Sequence, residues 1–254
     1  MEFASYPSLA GKNVFVTGGG SGIGADIVAA YALQGARVAF ADRDVASSRQ
    51  LLASLEGKVA QLPLFIACDL SDMAALRDSV AQTGAAFGDI DVLVNNTAND
   101  ARHDFLEVTP EDFDARININ LKVAFFAAQA VVAGMIRSGG GAIINIGSTG
   151  WKNKVAGYPV YATAKSAVNG LTRSLAREYG KHRIRVNTLT PGWIMTAKQL
   201  EHWVDAEGEQ AMDVNQCLPG RIAGVDVANM ALFLSAADSR MLTAQEFVVD
   251  AGWT

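Results

Sequence analysis

A glycine-rich segment near the start of the chain constrains the fold more than any other feature. Residues 17–24 read Thr-Gly-Gly-Gly-Ser-Gly-Ile-Gly, directly after an apolar run at 14–16 and directly before a helix-like stretch. Glycines let the backbone turn sharply and approach a pyrophosphate, whose charge is offset by free N–H groups and by the positive end of the following helix. A strand, a glycine loop and a helix in this order therefore indicate a dinucleotide-binding unit.

An acidic residue stands where such a unit binds the ribose. The apolar run at 37–41 predicts a second strand, and Asp42 closes it about 20 residues beyond the glycines. The Asp42 carboxylate can accept hydrogen bonds from the adenosine ribose and would repel the 2′-phosphate of NADP. The neighbouring Arg43 could instead bind that phosphate. NAD is therefore the expected cofactor, and NADP remains the alternative.

Length and composition predict a single domain. The 254 residues, with 50% hydrophobic content, can bury a large core. We expect a cytoplasmic protein without a membrane partner, because no apolar run approaches the ~20 residues of a membrane span and residues 1–9 lack signal-peptide features. A net charge of −5 without a basic tract argues against a nucleic-acid partner. The two cysteines and three histidines lack metal-ligand spacing, so no metal is predicted.

Short apolar runs alternate with stretches of helical period along the chain. The further strand candidates are residues 62–67, 90–94, 142–146, 183–189 and 246–249. The helix candidates are residues 72–87, 111–137, 158–179 and 225–236. Right-handed crossovers between them predict an α/β fold, a single-domain Rossmann-type doubly wound parallel sheet with helices on both faces. Residues 196–218 form an insertion long enough to act as a lid.

Four polar residues suggest a catalytic site. Tyr161 and Lys165 lie four residues apart, on one face of a predicted helix. Such a pair is common on solvated helix surfaces, but Ser148 stands thirteen residues before Tyr161 at the end of a predicted strand, where parallel sheets place reacting groups. Asn120 lies in the predicted helix 111–137, and its amide could join a buried hydrogen-bond relay.

These motifs together resemble the short-chain dehydrogenase/reductase family along essentially the whole chain. One departure is Asn95-Asn96-Thr97-Ala98, where the family usually has Asn-Asn-Ala-Gly. The resemblance implies that the catalytic residues are Asn120, Ser148, Tyr161 and Lys165. It also implies cofactor contacts from Gly18, Ser21, Gly22, Ile23, Gly24, Asp42, Arg43, Asp69, Leu70, Asn96, Tyr161, Lys165, Pro191, Gly192, Ile194 and Thr196. A homotetramer built on the helices at 111–137 and 158–179 is a further implication.

The implied chemistry is the oxidation of an alcohol, in which a base takes the hydroxyl proton while hydride leaves carbon for the nicotinamide. A free tyrosine has a pKa near ~10, so a phenolate at neutral pH needs a shift of roughly 3 units, or about 4 kcal/mol. Lys165 and the oxidised nicotinamide would supply positive charges of the required sign. Ser148 would bind the reacting oxygen, and Asn120 would keep a water that links Lys165 to solvent.

Four weaker segments are Tyr6-Pro7-Ser8-Leu9, Asn99-Asp100-x-Arg102-His103, Gln216-Cys217-Leu218-x-Gly220-Arg221 and Asp250-Ala251-Gly252-Trp253. They resemble bacterial aldose 1-dehydrogenases acting on pentoses, and they include the positions after the fourth strand, around the insertion and at the terminus. This resemblance implies a small-molecule sugar substrate, L-arabinose or D-xylose, oxidised at C1 to the aldonolactone. Besides Ser148 and Tyr161, the expected sugar contacts are Asn99, Trp151, Asn153 and Trp193. We expect Arg102, His103 and Asp104 to form loop surface, whereas Asn99 and Asp100 of the same loop could reach the pocket. The alternatives are another sugar, polyol or secondary-alcohol dehydrogenase, a 3-oxoacyl-type reductase, or a catalytically silent dinucleotide-sensing scaffold.

Overall fold

A computed structural model describes residues 4–254 of the protein. Seven parallel strands form one sheet in the order β3-β2-β1-β4-β5-β6-β7. The strands are β1 (Asn13–Thr17), β2 (Arg37–Asp42), β3 (Leu64–Ala67), β4 (Val92–Asn95), β5 (Gly141–Ile146), β6 (Ile184–Pro191) and β7 (Glu246–Val249). The strand order reverses between β1 and β4, and a doubly wound sheet opens its ligand crevice at that point. The predicted fold class is confirmed.

Nine α-helices are described within residues 4–254. They are α1 (Gly22–Leu33), α2 (Val45–Leu55), α3 (Met73–Phe87), α4 (Pro110–Ile117), α5 (Val123–Arg137), α6 (Pro159–Tyr179), α7 (Ala197–His202), α8 (Ala206–Asn215) and α9 (Gly224–Ser235). Local chemistry fixes several helix ends. The Asp72 carboxylate caps α3 by accepting from Ala74 N at 2.8 Å, and Gly88 ends that helix with a φ of +91°.

The sheet is covered on both faces, so its central strands are buried throughout. Along β1, Val14 and Val16 belong to one apolar core and Phe15 to the other, because successive side chains of a strand point to opposite faces. The first core includes Ile27 of α1 and Val227 of α9. Helices α3, α5 and α6 pack on the opposite face. This double cover explains why the strands read as almost continuous apolar runs.

Three segments differ from the sequence expectation. The single helix predicted at 111–137 is two helices, α4 and α5, joined by a wide π-type turn over Asn118–Lys122. Asn120 therefore lies in this turn and not in a regular helix. Helix α2 carried no clear apolar pattern and was not predicted. The insertion at 196–218 contains two helices, α7 and α8, where the sequence suggested only a polar segment.

The stretch Pro110–Arg137 also corrects the expectation that no segment is long and apolar enough to cross a membrane. By length and composition alone it qualifies, although core helices of globular proteins pass the same test. Packing gives the reason for its apolar character here. Val123, Ala127 and Val131 of α5 are buried in the core cluster that contains Phe15 and Leu93 of the sheet.

Candidate active site

A cavity of about 870 Å³ lies at the carboxyl ends of the strands. Residues that follow β1, β2, β4, β5 and β6 contribute to its walls, as expected where a parallel sheet changes its winding direction. All the cofactor contacts expected from the sequence line this cavity except Gly22, whose neighbours Ser21 and Ile23 do line it. The catalytic candidates Ser148, Tyr161 and Lys165 face the same space.

The glycine loop forms a tight cradle at one end of the cavity. A Cβ atom on Gly24 would lie 2.0 Å from the Gly18 carbonyl oxygen, so only glycine allows helix α1 to start this close to the loop. Asn96 closes the cradle by donating from Nδ2 to the same Gly18 oxygen at 2.6 Å. The helix has no side-chain cap at Ser21, so its first-turn N–H groups are available to a phosphate. This geometry fits a dinucleotide.

Two carboxylates also line the crevice, and one of them, Asp42, adjoins the glycine loop. Asp42 is held by the backbone, since its Oδ2 accepts from Gly20 N at 2.8 Å and its Oδ1 from Asp44 N at 2.9 Å. The exposed Arg43 lies beside it and also lines the cavity. Hydrogen bonds from Ser71 hold the pKa of Asp69 below its usual range. Acceptors fixed in this way suit the hydroxyl and amino groups of an adenosine.

Helix α6 positions Tyr161 and Lys165. Lys165 is only 2% exposed, and its ammonium donates to the Ile146 carbonyl oxygen at 2.8 Å. Its Nζ lies 5.9 Å from the centre of the Tyr161 ring. Burial lowers the pKa of Lys165 to about 8. The lysine is therefore still mainly cationic at neutral pH, one helical turn away from the phenol.

The environment of Tyr161 opposes ionisation in the protein alone. Burial raises the pKa of its hydroxyl above the usual range, and the carboxylate of Asp100 adds to this, whereas hydrogen bonding with Ser148 lowers it. Ser148 Oγ in turn accepts from Gly150 N at 3.1 Å, which fixes its position at the end of β5. The favourable charge near Tyr161 thus has to outweigh desolvation before a phenolate forms.

Asn120 is buried but is not among the described residues that line the cavity. Its Oδ1 accepts from Asn99 N at 2.9 Å, and its Nδ2 donates to Asn99 O at 3.0 Å and to Arg116 O at 2.9 Å. Both amide protons are therefore occupied, which leaves one acceptor lone pair for any relay. The structure places Asn120 as a support for the loop after β4.

The expected sugar contacts divide into two groups. Asn99, Asn153 and Trp193 line the cavity, whereas Trp151 does not belong to its lining within residues 4–254. The Trp193 indole is fixed, because Nε1 donates to Gln199 Oε1 at 2.9 Å and α8 passes against the ring at Gly208. These three residues come from the segments after β4, β5 and β6, which therefore meet at this cavity.

Several cavity residues went unassigned in the sequence analysis, among them Tyr158 and Trp253. Asp100 Oδ1 and Oδ2 accept from Lys198 Nζ at 2.6 Å and Gln199 Nε2 at 2.8 Å, which joins the loop after β4 to helix α7. The interpretation of Arg102 as loop surface was wrong, because it is half-buried and lines the cavity. Its place after the fourth strand was the available signal.

The fold and this site define a nicotinamide-dependent oxidoreductase. Residues 18–254 match the family model described as "Enoyl-(Acyl carrier protein) reductase". The chain belongs to the short-chain dehydrogenase/reductase family, which confirms the resemblance drawn from its motifs. A nicotinamide dinucleotide is its cofactor.

Two relatives match over nearly the full length. D-xylose 1-dehydrogenase of Caulobacter vibrioides (strain NA1000 / CB15N) is 46% identical over 253 residues and 100% of each chain. The Rhizobium meliloti (strain 1021) protein described as "Probable galactose dehydrogenase GalD" is 41% identical, over 98% of this chain and 97% of its own. A solved structure, blue fluorescent protein from a metagenomic library in complex with NADPH, has a TM-score of 0.88 at 37% identity, covering 97% of this chain and 99% of that chain.

Proposed function

We propose that the protein oxidises the C1 hydroxyl of a cyclic pentose to the aldonolactone, with D-xylose as the first choice and L-arabinose as the second. The observation that carries the proposal is the opening of Ser148, Tyr161 and Lys165 into the cavity that also contains the glycine cradle. The full-length similarity to a D-xylose 1-dehydrogenase supports the choice of sugar. The relative described as a probable galactose dehydrogenase supports the oxidation of an aldose more generally.

The proposed reaction balances with the groups at hand. Ser148 donates a hydrogen bond to the C1 oxygen, and the Tyr161 phenolate takes the hydroxyl proton. The C1–H electron pair leaves as hydride, so a C=O bond replaces the O–H and C–H bonds and the ring becomes a lactone. An oxidised nicotinamide dinucleotide, held by the glycine cradle and Asp42, would supply the hydride acceptor and a positive charge. Lys165, whose Nζ lies 5.9 Å from the Tyr161 ring centre, stabilises the phenolate.

Asn120 acts in this proposal as a positioning residue. It holds Asn99, which we place with Asn153 and Trp193 among the sugar contacts because all three line the cavity. Trp151 is assigned to packing beside the catalytic loop, where the Lys152 ammonium lies 5.1 Å from the centre of its ring. Stacking on an indole face and hydrogen bonds to amides are both suited to a pyranose.

The proposed cofactor is NAD. The Asp42 carboxylate lines the crevice beside the glycine loop and would repel a 2′-phosphate, whereas Arg43 supplies the competing attraction. Steady-state kinetics with both cofactors test this balance. We expect a higher kcat/KM with NAD for the wild type and an improved relative use of NADP in Asp42→Ala. Equal or better kcat/KM with NADP in the wild type would reverse the assignment.

We also propose a cytoplasmic homotetramer whose contacts involve the helices α4, α5 and α6, with residues 196–218 acting as a lid. The exposed side chains of Phe113 and Phe125, at 41% and 47%, support an interface at α4 and α5. Light scattering coupled to size-exclusion chromatography would give the subunit number. A monomer at micromolar concentration would contradict the proposed assembly.

A sugar panel tests the proposed function. D-xylose, L-arabinose, D-galactose, xylitol and a simple secondary alcohol are each assayed with NAD and NADP, and the product is trapped as lactone or acid. We expect the highest kcat/KM on D-xylose and lactone as the first product. Strong activity on polyols or secondary alcohols with little on aldopentoses would overturn the C1 assignment. Cofactor binding without turnover on any of them would favour the silent-scaffold alternative.

A further inference from the structure

The loop after β4 holds one arginine in a fixed position beside the catalytic tyrosine. Ala101 O accepts from Arg116 Nη1 at 3.0 Å, so the residue before Arg102 is anchored to α4. On the other side, His103 N donates to Gly157 O at 2.8 Å, and His103 Nε2 accepts from Val160 N at the start of α6 at 3.4 Å. The backbone on both sides of Arg102 is therefore anchored, to α4 through Ala101 and to α6 through His103.

The guanidinium of Arg102 lies between two aromatic rings. Its Cζ is 3.9 Å from the centre of the Tyr158 ring and 5.1 Å from that of Trp203, at the end of α7. The Tyr158 ring meets Tyr161 edge to face, with centroids 5.1 Å apart. One aromatic ring thus separates Arg102 from the catalytic phenol, and all but Trp203 of these residues line the cavity.

Arg102 has no hydrogen bond or ion pair with any residue in 4–254, and its Nη1 is buried without an acceptor. Other arginines in the described chain, such as Arg116 and Arg221, have carboxylate partners. The Nε1 atom of Trp203 is likewise buried and unpaired. Arg102 thus lines the cavity, half-buried, with guanidinium donors that have no acceptor within residues 4–254, and such donors are available to oxygen atoms of a ligand.

We propose that Arg102 binds the hydroxyl groups of the sugar that are remote from C1 and thereby determines which sugars the site accepts. The inference rests on the proposed function. A guanidinium presents parallel N–H donors in one plane, which match two adjacent hydroxyl oxygens, while Tyr158 holds that plane from one side. Sugars that place both oxygens correctly pair with the accessible donors of this cavity-lining guanidinium, and sugars that lack those oxygens leave the donors without a ligand partner.

The test combines a substitution of Arg102 with a substrate that lacks the remote hydroxyl groups. D-xylose is compared with 2-hydroxytetrahydropyran, which keeps the anomeric hydroxyl and the ring but has no other hydroxyl group. We expect Arg102→Met to lower kcat/KM for D-xylose at least tenfold, mainly through a higher KM, and to change kcat/KM for 2-hydroxytetrahydropyran less than twofold. Removal of a contact that serves binding alone raises KM and leaves kcat nearly unchanged.

Arg77→Met is the matched control, because the Arg77 guanidinium also lies over an aromatic ring, 5.7 Å from the centre of Phe126, but outside the cavity lining. It should leave both substrates unaffected. Arg102→Lys keeps a cation over Tyr158 and removes the planar fork, so its D-xylose KM should also rise. For each Arg102 variant, a melting temperature and a cofactor affinity close to those of the wild type would show that the folded site is retained. Arg102→Lys replaces Arg102→Met if the methionine variant misfolds.

The outcomes separate the two hypotheses. If the wild type oxidises D-xylose but the Arg102 variants lose equally on both substrates, or on neither, the inference is wrong and the proposed function stands. If the wild type leaves D-xylose unoxidised, the proposed function fails and the inference with it. Where 2-hydroxytetrahydropyran reacts too slowly to measure, a D-xylose loss confined to kcat refutes the inference and a loss confined to KM supports it.

Discussion

The buried Lys165 should make the protein less stable at neutral pH than at alkaline pH. Burial lowers its pKa from 10.5 to about 8, so the folded state disfavours the ammonium form. The stability cost is complete below the folded pKa and disappears as the pH rises above the unfolded one. A shift of this size corresponds to about 3 kcal/mol, at about 1.4 kcal/mol for each pKa unit.

Lys165→Met removes the titrating group. We expect the wild type to gain about 2 kcal/mol relative to this variant between pH 7 and pH 9.5, because the unfolded chain binds the extra proton over that window. The variant also leaves the Ile146 carbonyl oxygen without its donor, which costs about 1–3 kcal/mol at either pH and cancels in the comparison. The pH dependence is therefore a cleaner measure than stability at one pH.

Urea denaturation at fixed protein concentration, without cofactor, measures the free energy of unfolding at both pH values. Lys58→Met controls for the loss of an exposed lysine and should follow the wild type. Parallel pH dependences for the wild type and Lys165→Met would refute the reasoning. Such a result would mean that the ammonium of Lys165 is stabilised in the fold as well as it is in water.

Three further predictions concern turnover, the cradle and the pH profile. Tyr161→Phe should lower kcat by at least ~10² while the cofactor dissociation constant stays within a factor of two, and near-normal turnover would exclude Tyr161 as the base. Gly24→Ala places a Cβ atom 2.0 Å from a carbonyl oxygen, so cofactor titration should show weaker binding and thermal melting should show a stability loss of about 1–3 kcal/mol. Gly84→Ala, with open space around it, should bind the cofactor normally. Equal cofactor affinities for the two variants would contradict the cradle. Asp100→Asn removes a negative charge near Tyr161 and should move the acid limb of the kcat/KM profile to lower pH. Lys198→Met removes the cation that pairs with Asp100 and should move that limb to higher pH. Shifts of the same sign would exclude an electrostatic cause.

Local patterns were sufficient to predict the sheet and to select residues that line the cavity at its carboxyl edge. The strands of a doubly covered sheet are apolar almost throughout, and a glycine loop must stand between β1 and α1 for the backbone to pass Gly24 closely. Ser148 and Tyr161 were also selected from local patterns. Ser148 stands at the end of a predicted strand, and Tyr161 has a lysine at helical spacing. These features depend on neighbours within about one helical turn or one strand.

The substrate end depends on contacts between distant segments, which a local pattern does not contain. The sequence predicts one helix over 111–137, but the structure has a π-type turn between α4 and α5, and within it the Asn120 amide binds Asn99, 21 positions away. Arg102 stands in a polar stretch that predicts surface. Its place in the cavity is set by His103, which binds Val160 across 57 positions of the chain.

The Asp100–Lys198 ion pair connects these distant segments electrostatically to Tyr161, the proposed base. Burial alone raises the pKa of Asp100, but the hydrogen bonds and charge of Lys198 and Gln199 outweigh it and hold that pKa below its usual range. An ionised Asp100 raises the pKa of Tyr161, and the cation of Lys198 offsets that charge at 2.6 Å. Because Lys198 belongs to α7 and Asp100 to the loop after β4, removing either partner breaks the same contact but changes the charge near Tyr161 in opposite directions. The two pH profiles therefore distinguish an electrostatic effect on the base from a mechanical effect on the insertion, which would affect both variants alike.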